Sequence, residues 1–212
     1  MVIFLGGPGS GKGIQSKLLA KRNNFKIFAV GQMLRNEIVQ RTPIGLKMEE
    51  RINKGCFADL EIVLDLLKSK VDGPNFILDG FPRNLEQADA FEEFVVNAPF
   101  DMRNRVVAID FVAPDELLIN RLQKRKICKN CDASILDESK CFACGKTNPE
   151  LYSRYDDRGD TIIERIKQFH SQSRPLVEFY QNRGIYCPID GTRSVEEVYN
   201  DVATCVNSKI LL

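Results

Sequence analysis

Residues 6 to 16 read GGPGSGKGIQS, in which Gly6, Gly11 and Lys12 fit the spacing G-x-x-x-x-G-K. The segment follows the apolar run VIFL and leads into a helical pattern, the setting that a phosphate-cradling loop requires. Glycines there let backbone amides converge on phosphate oxygens at the positive end of a helix dipole, and Lys12 adds a point charge. The plain alternative is a glycine-rich turn with a solvated lysine. In the common form of the loop a hydroxyl follows the lysine and holds Mg²⁺, whereas here Gly13 and Ile14 follow.

Two further groupings could do chemistry. The apolar run Asn75 to Asp79 ends in a carboxylate ahead of Gly80-Phe81-Pro82-Arg83. Such an acid supports Mg²⁺ from a strand beside the phosphate loop, or else caps the next turn. Cys128-x-x-Cys131 and Cys141-x-x-Cys144 are two knuckles separated by nine residues, a shorter linker than most four-cysteine zinc sites use. Four thiolates close a tetrahedral shell and leave no open position, so the metal, zinc or iron, is expected to be structural. Reduced thiols without metal and a zinc ribbon that binds nucleic acid are the alternatives.

These groups need a scaffold, and the hydrophobic pattern supplies one. Short β-rich runs at Val2 to Leu5, Lys26 to Val30, Asn75 to Asp79, Val106 to Val112 and Ile185 to Pro188 alternate with helical patterns. Helices are predicted over 11–22, 31–41, 43–54, 59–71, 85–97, 114–126 and 195–207. The alternation predicts an α/β fold, a five-stranded parallel sheet with helices on both faces. Thr161 with Glu164, and Ser194 with Glu197, read as capping boxes that open two C-terminal helices. The first carries Ile162, Ile166, Phe169, Leu176 and Tyr180 on one face, and Pro175 should kink or break it. From about 127 to 153 the amphipathic period lapses, which marks an insertion too small for its own core and in need of a staple.

Composition is that of an ordinary globule: 212 residues, 43% apolar, 28% charged, thirty basic residues against twenty-nine acidic. Folding such a chain buries roughly 70% of its extended surface. The balanced charge points away from nucleic acid and membrane as partners. The N-terminus has neither the basic region nor the apolar length of a signal peptide, so a cytoplasmic location is expected. In that compartment the seven cysteines argue against disulfides, and Cys56, Cys187 and Cys205 read as separate buried small hydrophobes. His170 reads as structural.

Taken together, GGPGSGKG at 6–13, GQMLR at 31–35, DGFPRNLEQA at 79–88, RLQKR at 121–125, RYDD at 154–157, Arg165 and DGTR at 190–193 resemble the adenylate kinases of the nucleoside monophosphate kinase family, over essentially the whole chain. The resemblance implies a P-loop core over 1–29, 60–121 and 160–212, an AMP-binding segment over 30–59 and a zinc-stapled lid over 122–159. It implies ATP phosphates on Gly9, Ser10, Gly11, Lys12, Gly13 and Ile14. Arg121, Arg193, Ser134 and Ile135 would lie about the rest of ATP. AMP would meet Val30, Cys56, Phe57, Ala58, Gly80, Phe81 and Pro82, its phosphate held by Arg35 and Arg83 and its base read by Gln87. Arg125, Arg154 and Arg165 would close on the transferring phosphoryl, with Asp156 and Asp157 as a lid-closing pair and Asp79 backing Mg²⁺ through water. Zinc would sit on Cys128, Cys131, Cys141 and Cys144. The partners implied are ATP, AMP and ADP, and the state a monomer.

Gly13 is usual in chains of this resemblance, but three positions depart from it. Ile14 and Val30 stand where a Thr is usual, and Gln32 where an Asp is usual. Each removes a polar contact, and a hydrogen bond is worth about 1 kcal/mol, or 1.5 to 3 to a charged group. An active enzyme with altered Mg²⁺ dependence or AMP affinity is therefore expected. The rival readings are another acceptor such as CMP or UMP, another donor such as GTP, and a slow nucleotide-binding sensor.

Overall fold

The computed structural model describes residues 1–54, 56–97, 105–136 and 138–210. In chain order the elements begin with β1 (Val2–Gly6), α1 (Lys12–Asn23), β2 (Lys26–Ala29), α2 (Val30–Val39), α3 (Pro43–Asn53), α4 (Leu60–Lys68), β3 (Phe76–Asp79) and α5 (Leu85–Val96). They continue with β4 (Val107–Val112), α6 (Asp115–Lys124), β5 (Ile127–Cys128), β6 (Leu151–Tyr152), α7 (Gly159–Gln168), α8 (Leu176–Gln181), β7 (Tyr186–Asp190) and α9 (Val195–Ile210).

The main sheet runs in the order β2-β3-β1-β4-β7, all parallel, with Val2 registered against Ile77 on one side and Val107 on the other. Because side chains alternate along a strand, β1 feeds two cores. Ile3 and Leu5 pack with Leu34, Met48, Leu67, Phe91 and Tyr180 on one face. Val2 and Phe4 pack with Leu19, Val198, Val202 and Val206 of α1 and α9 on the other. The sheet is thus buried on both faces, and its five strands read as apolar runs for that reason. All its carboxyl ends point one way, so the phosphate loop, Asp79 and the turn at 190–193 meet at one edge, where open α/β sheets bind ligands.

Three helix starts, those of α3, α5 and α9, are capped by side chains. Thr42 caps α3, its Oγ1 accepting from Gly45 N–H at 3.1 Å with Pro43 at the first helical position; Asn84 caps α5, accepting from Gln87 N–H at 2.8 Å. Ser194 and Glu197 make the expected box, Glu197 accepting from Ser194 N–H at 3.0 Å. The Thr161 box does not form. α7 starts earlier, at Gly159, with no side-chain cap. Asp156 and Asp157, held by arginines, fix the chain just ahead of it.

Pro175 breaks the long helix as expected. Lacking an N–H, it cannot continue the ladder, and the preceding turn widens to a π-helical one over Phe169–Ser173, with Arg174 N–H on Phe169 O at 3.0 Å. That turn carries Ser173 Oγ onto Arg83 O at 2.7 Å.

The cysteine-rich insertion forms a two-stranded antiparallel sheet, β5 with β6, around a minimal core of Cys128, Ala133 and Cys141. Elsewhere the structure departs from the thiol reading: Cys187 and Cys205 are not separate, but are joined as a disulfide between β7 and α9, with Cα atoms 6.6 Å apart. The residues sit 18 apart in sequence, and only the packing of α9 on the sheet brings them together. Cys56 is a free, half-buried thiol. Among the described residues no helix is long and apolar enough to cross a membrane.

Candidate active site

A cleft of about 860 Å³ opens at the carboxyl edge of the sheet. Its floor is the loop between β1 and α1. Gly9 and Gly11 adopt φ of 86° and 103°, a left-handed conformation costly for a side chain, and this bends the loop so that it runs into the first turn of α1. Lys12 folds back over the loop, Nζ donating to Gly6 O at 2.7 Å and Gly7 O at 2.8 Å. Burial lowers its ammonium to about 8, with Asp79 and Asp110 opposing the fall and Arg83 and Arg165 adding to it. Asp79, at the end of β3, points at the same turn: its Oδ2 accepts from Ser16 Oγ at 3.4 Å and lies 3.5 Å from where a methyl on Gly13 would stand.

Around this floor the expected cations gather. Arg35 from α2 and Arg83 after β3 converge, since a methyl on Gly31 would lie 3.4 Å from Arg35 Nη1 and 3.6 Å from Arg83 Nη2. Arg83 is held by its own Nε donating to Gly80 O at 2.8 Å, with its guanidinium 5.3 Å from the Phe57 ring centroid. The Phe81–Pro82 peptide is cis. Arg165 donates to Asp157 Oδ1 at 2.7 Å and to the Asp156 backbone oxygen at 2.9 Å. Burial pushes the Asp156 carboxyl up, but Arg165, Arg35, Arg154 and Arg125 outweigh it and hold the group below the ordinary carboxylate range.

Arg35 Nε and Arg154 Nε are buried and make no hydrogen bond among the described residues. For both arginines burial disfavours the charged form, and Arg125 adds repulsion; Arg35 further repels Arg154. Buried donors without partners are rare and costly, and a polyanion in the cleft is the chemistry that satisfies them.

The remaining site residues divide by where their side chains fall. Ser10, Ile14, Arg121, Ser134, Ile135 and Arg193 line the main cleft, with Arg121 Nη1 donating to Gly191 O at 2.8 Å. Cys56, Phe57, Ala58 and Gln87 line an adjoining cavity of about 590 Å³. Val30 and Phe81 line neither; both side chains are packed in the core, which leaves only backbone atoms to offer a ligand. Asp156 and Asp157 also stand behind the cleft wall, gripping arginines rather than facing the opening. His170 pairs with Asp115 at 2.8 Å on the surface, a structural contact as expected.

Three groups escaped the sequence reading. Asp110 lines the cleft from the middle of β4, accepting from Tyr186 Oη at 2.8 Å; burial raises its carboxyl despite that bond and nearby Lys12 and Arg174. A carboxylate inside the run VAIDFV was the available signal. Lys17 donates to Cys131 O at 2.8 Å, and Asp132 accepts from Gln32. Neither contact has a sequence signal, because each joins elements about a hundred residues apart.

The four cysteine sulfurs lie within 4.8 Å of one another, with Cys131–Cys141 at 3.6 Å and Cys128–Cys144 at 3.9 Å. Tetrahedral zinc at about 2.3 Å from each sulfur requires edges of about 3.8 Å, so the residues fit such an ion.

Comparison with known proteins agrees with this geometry. The family model described as adenylate kinase matches residues 4–185. The chain is 34% identical to an adenylate kinase of Archaeoglobus fulgidus over 95% of each chain, 32% to one of Clostridium tetani over 98% of each, and 35% to one of Caldicellulosiruptor bescii over 95% of this chain and 96% of that protein. With a phosphate loop, a converging set of arginines and relatives matched end to end, the chain belongs to the adenylate kinase family.

Proposed function

We propose that the protein catalyses reversible transfer of the terminal phosphoryl group of ATP to AMP, giving two molecules of ADP. The observation that carries this reading is the pair of buried, unpartnered arginine Nε atoms, Arg35 and Arg154, standing opposite a glycine-rich phosphate loop in one cleft.

ATP phosphates are assigned to the backbone amides of Gly9 to Ile14 and to Lys12, which exchanges its loop carbonyls for phosphate oxygens. The AMP phosphate is assigned to Arg35 and Arg83. One of its oxygens attacks the γ-phosphorus in line as the bond to the β-phosphate oxygen breaks, and the departing group is ADP. The attacking oxygen is already anionic, so no side chain need act as base or nucleophile. Arg125, Arg154 and Arg165 neutralise charge spread over the transferring group, where a single arginine is worth about 10³ to 10⁵ in rate. Asp79 faces the loop where water-held Mg²⁺ would stand; bound there, the ion would offset charge on the β and γ oxygens. Zinc on the four cysteines would serve structure alone.

Base selection falls to Gln87. Its Oε1 accepts from Arg83 N–H at 2.8 Å, which leaves the NH₂ as the amide's free donor, and the residue lines the second cavity. A base presenting a ring acceptor, as adenine does, is matched; one presenting a ring N–H is not. Segments 30–59 and 122–159 are proposed to close over the nucleotides and exclude water, which would otherwise take the phosphoryl group. A monomer is the state proposed. A reducing cytoplasm is supported by four clustered thiols suited to metal, whereas the Cys187–Cys205 disulfide counts against it.

The test is ADP formed from ATP, AMP and Mg²⁺ by the purified chain, run beside CMP, UMP and GTP, with zinc and iron assayed on the same sample. Tight binding of a bisubstrate analogue without ADP formation would overturn the catalytic reading in favour of a sensor.

A further inference from the structure

A chain of hydrogen bonds leaves the cleft and runs into the cysteine-rich insertion. Arg35 Nη2 donates to Gln32 Oε1 at 3.2 Å, and Gln32 Nε2 donates to Asp132 Oδ2 at 3.1 Å. The other carboxylate oxygen, Oδ1, accepts from Tyr152 Oη at 2.9 Å. Arg35 and Gln32 stand on α2, Asp132 in the first cysteine knuckle and Tyr152 on β6. The same Nε2 also donates to Asn36 Oδ1 at 3.0 Å, so one amide accepts from Arg35 and donates to Asp132 and Asn36, an orientation that all three partners require. Lys17, on Cys131 O at 2.8 Å, ties the same knuckle to α1.

The backbone supplies an independent observation. Asp132 has φ of 54°, in the left-handed region, at the turn where Cys128 O accepts Asp132 N–H at 2.9 Å. Asp enters that region more readily than most residues, and the turn sets one carboxylate oxygen on Gln32 and the other on Tyr152. Position 32 is also one of the three that depart from the usual pattern. An acid there would face Asp132 with no proton to share, whereas Gln32 can bridge a cation and a carboxylate.

We propose that Gln32 and Asp132 are positioning residues that couple the cysteine-rich insertion to Arg35, holding its guanidinium in place for the AMP phosphate only when the insertion is seated. This rests on the assignment of the AMP phosphate to Arg35. The relay orders Arg35 along the Nη2 edge and leaves Nε, which has no partner, for the anion.

The test is steady-state kinetics of the full, metal-loaded chain, with AMP and ATP varied separately. Gln32→Glu keeps the length and the acceptor for Arg35 but removes the donor and sets two carboxylates face to face. It is expected to raise the KM for AMP about tenfold and leave that for ATP within about twofold, the size of a lost hydrogen bond to a charged group. Adding Asp132→Asn reverses the polarity of the pair and should return the AMP KM to within about threefold of the wild type. A merely structural role predicts no such rescue. An unchanged AMP KM in Gln32→Glu, or a double variant no better than the single one, overturns the relay. Arg35→Lys separates the two readings. If it leaves the AMP KM unchanged, the phosphate assignment fails; if it raises it while Gln32→Glu is silent, the relay alone fails. Should a variant not fold, judged by metal content and melting temperature, Tyr152→Phe removes only the hydroxyl that orients Asp132. A rise of about threefold in the AMP KM supports the relay, and no change overturns it.

Discussion

Arg125 grips Asp157 with two parallel bonds, Nε to Oδ2 at 2.7 Å and Nη2 to Oδ1 at 2.5 Å, and the carboxylate is 1% exposed. This is the fork geometry that makes an arginine pair directional as well as strong. Arg125 is thereby aimed before any nucleotide arrives.

Removing the acid should therefore cost both stability and rate. Asp157→Ala leaves Arg125 and Arg165 without their shared carboxylate, and breaking a buried pair costs about 3 to 5 kcal/mol. A fall in melting temperature of roughly 6 to 20 °C is expected by calorimetry for a chain of this size. A loss below about 3 °C would mean that the arginines find other partners.

Arg154 should behave in the opposite way. Its charge is disfavoured by burial and by Arg35 and Arg125, which outweigh Asp156 and Asp157, and among the described residues its Nε has no partner. Arg154→Met is expected to leave the melting temperature unchanged or raised while kcat drops by about 10³ or more. Parallel losses of stability and rate would make Arg154 a structural residue instead.

The Lys12 ammonium gives a pH signature with a definite sign. Its value of about 8 in the fold lies below the ordinary 10.5, so between the two the unfolded chain binds more protons and stability rises with pH. The ligand-free protein should gain at most about 3 kcal/mol across that window relative to Lys12→Met. Melting curves from pH 7.5 to 10 on both proteins supply the comparison, and parallel curves would exclude the effect. ATP affinity should weaken over the same range as the charge is lost.

Metal removal should be felt locally first. The insertion's core is little more than Cys128, Ala133 and Cys141, so Cys128→Ser or a strong chelator is expected to unfold 127–152 while the main sheet persists. Zinc stoichiometry near zero, fast proteolysis within the insertion and activity reduced at least tenfold are the readouts. Full activity in metal-free protein would show that the thiols suffice.

Ile14, half-buried in the cleft lining, offers the loop no polar atom. Ile14→Thr should restore one contact and raise kcat/KM for ATP about three- to tenfold, with a lower Mg²⁺ requirement. Identical rates and Mg²⁺ curves for the two proteins would show that position 14 does not touch the phosphates.

The sequence by itself determined what is local: that a glycine-rich loop joins a strand to a helix, that Asp79 ends a strand, that Ser194 and Glu197 cap α9, and that four cysteines at knuckle spacing share one staple. Each follows from backbone freedom, alternation or short-range hydrogen bonding, which neighbouring residues decide. The tertiary structure decided everything that depends on distant segments meeting. It chose which arginines are paired, Arg125 and Arg165 with Asp157, and which keep a donor free, Arg35 and Arg154. It sent Val30 into the core, overrode the Thr161 cap, joined Cys187 to Cys205, and set Gln32 against Asp132 across a separation of 100 residues. Burial and charge at those places are sums over elements that only the closed sheet and its helices bring together, and no window of sequence contains them.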